Sequence, residues 1–289
     1  MAVPVRPAPG ADGMTGFASA CEDWDDWDKP AQPFLVHGKT WYVGTCGIAA
    51  ILIEGTDGLV LIDNGTAPGS EAIAANIARL GFSLSEVKAL LASHEHFDHV
   101  GGMARLQRAS GAPVLVGADA LEVIRTGRDD PRDPQAGMHP RMEPVTGEVR
   151  AVANGERVEI AGLTLTAIAT PGHTPGAMSW QWESCDAAGC LTIVYADSLS
   201  PVSADGYRFS DHPDHVAKFR ESLARVAALE CDILLTPHPS ASDMLARART
   251  ASLVGGTSCE QYAEAISQRL DKRLASEAAN ETASEAATQ

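Results

Sequence analysis

A cluster of histidines and acids directly after an apolar run constrains this chain more than any other feature. Residues 90–102 read LLASHEHFDHVGG, and they place three of the chain's nine histidines within six positions. A hydrophobic core does not accommodate so many titratable groups without partners. Imidazoles and carboxylates are ligands that Zn²⁺ prefers in proteins. The segment therefore predicts a metal site at the end of a buried strand.

The spacing within this cluster indicates two groups of ligands rather than one. His94 and His96 are two positions apart, so their side chains share a face of extended backbone. Asp98 and His99 follow where the chain is expected to turn, and they can face a second position nearby. The pattern HxHxDH can therefore present two imidazoles to one metal ion and a carboxylate with an imidazole to another.

The residues between and after these ligands receive a different interpretation. Glu95 and Phe97 alternate with the histidines and are expected to point away from the metal as spacers. Gly101 and Gly102 are expected to let the backbone turn sharply into the next helix. These four residues are thus predicted to shape the motif without binding metal.

Two later histidines also follow apolar strands. The segment ATPGHTPG places His173 after a strand predicted at 163–169, and LLTPHPS places His238 after a strand predicted at 232–236. Ligands from several strand ends, at one edge of the sheets, would complete a site. The other histidines are assigned to the surface or the core: His37, His139, His212 and His215.

Hydrophobic periodicity predicts strands followed by helices in each half of the chain. No linker composition separates the halves, so a single α/β domain of two packed sheets with helices outside is expected. Residues 128–148 are rich in Pro and Asp and lack periodicity, which is typical of a lid loop. The expected divisions are a disordered or poorly ordered segment over 1–20, a folded domain over 21–275 and a polar, frayed tail over 276–289.

The formal net charge of −16 excludes several classes of partner. Binding to nucleic acid or to an anionic membrane surface requires clustered Lys and Arg, so neither partner is expected. No apolar run reaches the ~18 residues of a membrane-spanning helix. The first twenty residues lack the continuous apolar region of a signal peptide. A small-molecule substrate is the remaining expectation.

The six cysteines leave two interpretations open. None lies in a CxxC pair, which argues against a structural zinc knuckle. Cys185 and Cys190 are close enough to bridge a hairpin loop, but six cysteines allow fifteen pairings. On the count alone, free buried thiols and disulfides are equally acceptable.

The chain resembles the metallo-β-lactamase superfamily. HEHFDHVGG matches its HxHxDH signature, and TPGHTPG and TPHPS match its later ligand segments. The resemblance runs from about Phe34 to Cys259 and implies a four-layer αββα sandwich. YADSLSPVSADGYRFSDHP and YVGTCGIAAILI are most similar to subclass B3 of the superfamily. That subclass implies a periplasmic protein with disulfides Cys21–Cys46, Cys185–Cys190 and Cys231–Cys259.

The resemblance also implies an activity and a site. The expected reaction is opening of the β-lactam ring of penicillins, cephalosporins and carbapenems by a zinc-bridging hydroxide, in a monomer with two Zn²⁺ ions as cofactors. His94 and His96 would act with Asp98, which would also orient the hydroxide. Ser198 and Ser200 would bind substrate. The implied ligands are His94, His96 and His173 for zinc 1, and Asp98, His99 and His238 for zinc 2.

A thioester or lactone hydrolase of the same superfamily is the main alternative. Such enzymes carry an Asp that bridges the two metals where subclass B3 carries a Ser, and the ADS segment offers both Asp197 and Ser198. The subclass B3 alignment assigns Ser198 to this position. A metal-binding partner protein or a di-iron oxidoreductase is disfavoured by the six ligands and the missing flavin domain, and a nuclease by the acidic charge.

Two further residues or segments are candidates near the site. Asp63, in LIDNG at a strand end, is interpreted either as a support for a ligand imidazole or as a turn residue before Gly65. The loop 128–148 is expected to cover the substrate, with contacts from Met138, His139 and Met142.

Overall fold

Two β-sheets pack face to face in the computed structural model, which describes residues 12–287 and the side chains of residues 13–281. Seven strands form the first sheet in chain order, with antiparallel pairing from β1 to β4 and parallel pairing from β4 to β7. Its strands are β1 (Phe34–His37), β2 (Thr40–Tyr42), β3 (Ile51–Glu54), β4 (Leu59–Ile62), β5 (Val87–Leu91), β6 (Val114–Gly117) and β7 (Val149–Val152).

Five strands from the second half of the chain form the other sheet. Their spatial order is β12-β11-β10-β9-β8, with β11 and β12 parallel and the other pairs antiparallel. The strands are β8 (Arg157–Ile160), β9 (Leu163–Ala169), β10 (Met178–Cys185), β11 (Cys190–Tyr195) and β12 (Ile233–Leu235).

Helices cover the outer face of each sheet. The first sheet is covered by α2, whose Ile73 and Ile77 pack with Leu52 and Leu61. The helices are α1 (Asp12–Ala20), α2 (Gly69–Arg79), α3 (Phe97–Val100), α4 (Met103–Ser110), α5 (Leu121–Thr126), α6 (Pro213–Ala227), α7 (Met244–Ala248) and α8 (Cys259–Ala287). Short 3₁₀ helices span Leu84–Glu86, Ala118–Ala120, Phe209–Asp211 and Pro239–Ser242.

Three apolar clusters separate the layers. The central cluster lies between the sheets and contains the fully buried Trp180 and Tyr195. The outer face of the second sheet buries Phe219 of α6 and Tyr262 of α8. The order helix, sheet, sheet, helix confirms the predicted four-layer αββα sandwich, because each sheet buries apolar side chains on both faces. Among the described helices, none is both long and apolar enough to cross a membrane.

The expectation of a poorly ordered segment over 1–20 is wrong for residues 12–20, while residues 1–11 lie outside the described part. Residues 12–20 form α1, and the fully buried Phe17 packs in the central cluster. Its ring centroid lies 5.2 Å from that of Phe34 and 5.1 Å from that of Tyr42. Tertiary burial of one aromatic face therefore overrides the weak local preference of this Gly-containing segment for helix.

The expected frayed tail from residue 276 is also wrong as far as Ala287, because α8 continues to that residue. Glu277 explains part of this continuation. Its carboxylate is buried and accepts hydrogen bonds from the backbone N–H groups of Phe209 and Ser210, at 3.1 and 2.8 Å. It also accepts a bond of 2.6 Å from Arg273 Nε. The tail is thus polar, as predicted, but its first turns are docked on the segment before α6.

The three disulfides have the pairing that the resemblance implied. Cys21–Cys46 joins the end of α1 to the loop before β3, Cys185–Cys190 closes the β10–β11 hairpin, and Cys231–Cys259 joins the chain before β12 to the start of α8. All six cysteines are paired, so the alternative of free thiols is wrong.

The ends of β5, β9 and β12 lead to one edge of the sandwich. β4 and β5 run parallel in one sheet, as do β11 and β12 in the other. The segments after β5, β9 and β12 carry the predicted ligands. Residues 128–148 contain turns but no strand or helix and lie over this edge, as expected for a lid loop.

Candidate metal centre

Three buried histidines from the two sheets converge at the edge of the sandwich. His94 and His96 follow β5, and His173 follows β9. One ring nitrogen of each lies within 4.8 Å of the others. The ring centroid of His94 is 4.9 Å from that of His96 and 4.7 Å from that of His173. Three imidazoles at this spacing can surround a single cation.

The rings of His94 and His96 each contact a carboxylate through one nitrogen, which leaves the other nitrogen for a metal. His94 Nδ1 lies 2.8 Å from Asp197 Oδ1. His94 Nε2 is buried and has no hydrogen-bond partner among the described residues. His96 Nε2 bonds to Asp133 Oδ2 at 2.8 Å, which leaves Nδ1 as its possible metal donor. A carboxylate behind a ligand imidazole fixes the tautomer and the ring orientation.

The third ring is held by the backbone and side chain of one serine. His173 Nδ1 lies 2.9 Å from the carbonyl oxygen of Ser200 and 3.1 Å from its Oγ. Nε2 is therefore the nitrogen available to a metal. Gln135 Nε2 approaches it at 3.5 Å from the loop above.

The second predicted group is also brought together. Asp98 Oδ2 lies 2.9 Å from His99 Nε2 and 3.4 Å from His238 Nε2. One ligand atom each of His94, Asp98 and His99 lies within 4.8 Å of the others, so the two groups adjoin. The Asp98 carboxylate is therefore in a position to bind one cation close to the three-histidine group.

Asp63 satisfies both interpretations offered by the sequence. It has a positive φ of 59°, as a turn residue can, and its side chain is fully buried. Asp63 Oδ2 lies 3.3 Å from His99 Nδ1, on the side of the ring away from Asp98. The carboxylate also accepts hydrogen bonds from Ser93 N, Ser93 Oγ and Tyr195 Oη at 2.7, 2.8 and 2.7 Å. It thus links His99 to both sheets.

Burial and neighbouring charges set the protonation states of these groups. Burial, with help from adjacent imidazoles, lowers the pKa of His94 well below its ordinary value and that of His173 to about 3. Burial would raise the pKa of Asp98, but His99 and His238 hold it well below its ordinary value. Burial would lower the pKa of His99, but Asp98 raises it to about 10. His94, His173 and Asp98 are therefore in the forms that bind Zn²⁺, a neutral imidazole or an ionised carboxylate, whereas His99 must lose a proton to bind the ion.

Ser198, not Asp197, lines the cavity above the ligands. Asp197 is fully buried beside His94, accepts a hydrogen bond of 3.1 Å from Leu199 N, and has its pKa raised to about 8 by burial. Ser198 Oγ is buried and has no hydrogen-bond partner among the described residues. Ser200 also lines the cavity, with its hydroxyl beside His173.

The cavity itself has a volume of about 330 Å³, which suits a small molecule. Its rim carries exposed apolar groups, Trp24 at 64%, Trp27 at 39% and Val202 at 48% exposure. It is open above the predicted ligands, of which these contribute to its lining: His96, Asp98, His173 and His238.

The loop 128–148 supplies residues that the sequence did not single out. Asp133 bonds to His96, and Gln135 lies over His173. Several acids occur in this loop, and no spacing distinguishes Asp133 from its neighbours. His139 lines the cavity, as predicted for a loop residue over the site, and its ring lies 4.7 Å from that of His96. Met138 and Met142, its proposed companions, do not line the cavity.

The two glycines after the motif are not required for the reason that the sequence suggested, a sharp turn of the backbone. Gly101 and Gly102 have φ values of −59° and −85°, which any residue adopts. A Cβ on Gly102 would instead lie 2.3 Å from Ser70 Cβ and 2.6 Å from the carbonyl oxygen of Asn64. The glycine is thus required because α2 and the chain after β4 approach the backbone closely.

These residues fit zinc. The set combines imidazole nitrogens with one carboxylate, and a buried nitrogen of His94 lacks any other partner among the described residues. Four of the predicted ligand rings have a carboxylate or another hydrogen-bonding group behind them, as zinc ligands in proteins do: His94, His96, His99 and His173. A softer, thiol-based site is absent, because all six cysteines form disulfides.

Known proteins are similar to this chain in both sequence and fold. The metallo-β-lactamase superfamily matches residues 43–238. The structure of the MIM-2 metallo-β-lactamase is 55% identical, with a TM-score of 0.86 over 92% of this chain and 98% of that one. MEM-A1, a subclass B3 metallo-β-lactamase from a soil metagenome library, is 44% identical, with a TM-score of 0.84 over 88% of this chain and all of that one.

A curated relative with another activity matches a smaller part. The hydroxyacylglutathione hydrolase of Pseudomonas paraeruginosa is 32% identical over 140 residues, which is 48% of this chain. The chain spans only 42% of the length of that relative. The superfamily match, by contrast, covers the strands and every predicted ligand from β3 to the segment after β12. This chain belongs to the metallo-β-lactamase superfamily.

Proposed function

We propose that this protein is a subclass B3 metallo-β-lactamase that opens the β-lactam ring of penicillins, cephalosporins and carbapenems. The observation that carries the proposal is the convergence of the two ligand groups on Asp98 beneath a cavity lined by Ser198 rather than Asp197. The 55% identity to the MIM-2 metallo-β-lactamase, across nearly the whole of both chains, supports the same assignment.

The two groups would hold two zinc ions. When bound, zinc supplies a Lewis acid for the substrate carbonyl and lowers the pKa of a water molecule toward ~7. The three-histidine group and the group around Asp98 adjoin, as a dinuclear site requires. The proposed ligands are His94, His96 and His173 for one ion, and Asp98, His99 and His238 for the other.

Asp98 orients the attacking water in this proposal. Its carboxylate is buried and ionised, because His99 and His238 lower its pKa. A carboxylate accepts a hydrogen bond from water and so directs a lone pair of the water oxygen toward the substrate carbonyl. His94 and His96, with their rings fixed by carboxylates on the far side, keep the site in one geometry.

The two serines would bind the substrate carboxylate. Ser198 Oγ has no other partner among the described residues and is free to donate a hydrogen bond into the cavity. Ser200 Oγ can accept the Nδ1–H of His173 and donate its own proton to the substrate. Two hydroxyl donors would give a small anionic molecule an orientation, despite the acidic net charge of the chain.

The thioester or lactone hydrolase is the second candidate, and the hydroxyacylglutathione hydrolase relative favours it. This candidate needs Asp197 as a bridging metal ligand. Asp197 Oδ1 lies instead against His94 Nδ1, and its other oxygen accepts the N–H of Leu199. The Asp197 carboxylate therefore supports a ligand ring, and the lactamase remains the proposed function.

Hydrolysis of nitrocefin and of a carbapenem by the zinc-loaded protein, compared with hydrolysis of a glutathione thioester, tests this choice. Turnover of both lactams that EDTA abolishes and clavulanate does not affect is the expected result. His94→Ala should lose activity, whereas His212→Ala, which removes an imidazole stacked on Tyr207 outside the cavity, should not. Thioester hydrolysis without lactam turnover would overturn the proposal.

The proposed location is the periplasm, and the proposed state is a monomer. Three disulfides support an oxidising compartment, since cytosolic thiols are kept reduced. Fractionation of a producing bacterium and sedimentation of the purified protein would test the two statements. Metal analysis of the same preparation tests the stoichiometry of two zinc ions per chain.

A further inference from the structure

Glu95, between the two first histidines of the motif, does not behave as a simple spacer. Its side chain points away from the ligand groups, as expected, but it is buried at 3% exposure. Oε2 accepts a hydrogen bond of 2.7 Å from Thr174 Oγ1, and Oε1 accepts one of 2.8 Å from Gly176 N. No lysine or arginine among the described residues forms an ion pair with it. A buried carboxylate that is held only by neutral donors is costly, so a specific role is indicated.

The two donors lie in the loop that carries His173. This loop follows β9, in the second sheet, whereas Glu95 follows β5, in the first. Thr174 and Gly176 follow His173 in sequence by one and three positions. Glu95 is therefore a direct tie between the backbone that carries His94 and His96 and the backbone that carries the third histidine.

The other end of the same loop is held by α6. Ser222 Oγ donates to the carbonyl oxygen of Pro171 at 2.7 Å, and His215 Nε2 bonds to that of Gly172 at 2.8 Å. His173 thus lies between one anchor on α6 and one anchor on Glu95. A backbone bond of 2.6 Å from Met178 N to Ser93 O also joins the start of β10 to the segment after β5, whereas the Glu95 bonds reach the residues next to His173 itself.

From this geometry we propose that Glu95 is a positioning residue, which sets the distance between the His94–His96 pair and His173 and thereby sets the zinc affinity of the three-histidine group. The inference rests on the proposed zinc-dependent function, but it concerns metal binding and not the identity of the substrate. A purely structural role would instead lower the stability of the protein and leave its affinity for zinc unchanged.

Zinc affinity, measured by competition with a chromophoric chelator on the full, disulfide-bonded chain, tests the proposal. Glu95→Gln should weaken zinc binding to the three-histidine group about tenfold or more, which is the effect typical of groups that orient metal ligands. Thr174→Val removes one of the two hydrogen bonds and should weaken the same binding. Thr174→Ser keeps the hydroxyl and should bind zinc as the wild type does.

Glu277→Gln is the matched control. Like Glu95, Glu277 is a buried carboxylate that ties two segments together, but its donors are the backbone N–H groups of Phe209 and Ser210 and the side chain of Arg273, outside the metal centre. This variant should lose stability without losing zinc affinity. In cobalt-substituted protein, the visible absorption bands should shift for Glu95→Gln and stay unchanged for Glu277→Gln, because only the first alters ligand geometry.

Wild-type zinc affinity and an unchanged cobalt spectrum in both Glu95→Gln and Thr174→Val would overturn the proposal. If near-ultraviolet circular dichroism shows that Glu95→Gln does not fold, the comparison of Thr174→Val with Thr174→Ser decides it. A wild-type protein that binds zinc but turns over no lactam would overturn the proposed function alone, since the zinc affinities of the variants would still be measurable.

Discussion

The carboxylate of Asp63 supports both the fold and the candidate metal centre, so its replacement should be costly in a measurable way. Asp63→Ala removes the acceptor of Ser93 N–H and of Tyr195 O–H, both buried. Leaving a buried donor unpaired costs about 1–3 kcal/mol each. Alanine at a φ of 59° adds about 1 kcal/mol of backbone strain. The free energy of unfolding should therefore fall by about 3–7 kcal/mol.

Urea unfolding of the metal-free, disulfide-bonded protein, followed by circular dichroism, measures this loss. Asp63→Asn is the matched variant, because asparagine tolerates the left-handed backbone and keeps one acceptor for Ser93 N–H. It should cost only about 1–3 kcal/mol. It should still weaken zinc binding about 10- to 100-fold, since an amide N–H cannot accept the Nδ1–H of His99.

Tyr195→Phe separates the contribution of one hydrogen bond from the rest. Alone it should cost about 1.5–3 kcal/mol, the range for a bond to a charged group. Combined with Asp63→Asn it should cost less than the two single changes together, because both remove the same interaction. Tyr195 Oη has a second, longer bond of 3.4 Å to the carbonyl oxygen of Ala49, so the Asp63 carboxylate is its main acceptor. An Asp63→Ala protein within about 1 kcal/mol of the wild type would refute the reasoning that these buried donors depend on the carboxylate.

Three further predictions concern the metal centre, the N-terminal helix and one disulfide. Asp98→Ala should leave the fold near intact, lose bound zinc and reduce lactam turnover by at least 10²-fold. Zinc analysis and lactam assays measure these losses, and a wild-type zinc content with wild-type-like rates would contradict the prediction. Phe17→Ala should lower the free energy of unfolding by about 3–5 kcal/mol, because its buried ring leaves a cavity; a change below 1 kcal/mol in urea unfolding would show that α1 is not part of the core. Replacing Cys231 and Cys259 by Ser should cost about 3–4 kcal/mol, from the entropy of closing a loop of 28 residues, and thermal unfolding checks it.

Short patterns in the sequence were sufficient to predict the metal chemistry and the layered fold. The spacing of His94, His96, Asp98 and His99 after an apolar strand depends only on local backbone periodicity, so it can be recognised without tertiary structure. The resemblance that these residues carry also led to the correct disulfide pairing. Composition was less informative at the termini, where burial of Phe17 and Glu277 organised segments that are locally polar or Gly-containing.

Tertiary structure alone decided which carboxylate stands behind His96 and which stands behind His94. Asp133 lies 37 positions from His96, and Asp197 is more than a hundred positions from His94, so no local pattern links either pair. The choice between Asp197 and Ser198 as the residue facing the cavity depends on the rotation of one segment after β11, which neighbouring elements determine. The sequence predicted which side chains could bind zinc. Only the packing of the two sheets decided which nitrogen of His94, His96 and His173 is left free, because the partner of the other nitrogen comes from a distant strand or loop.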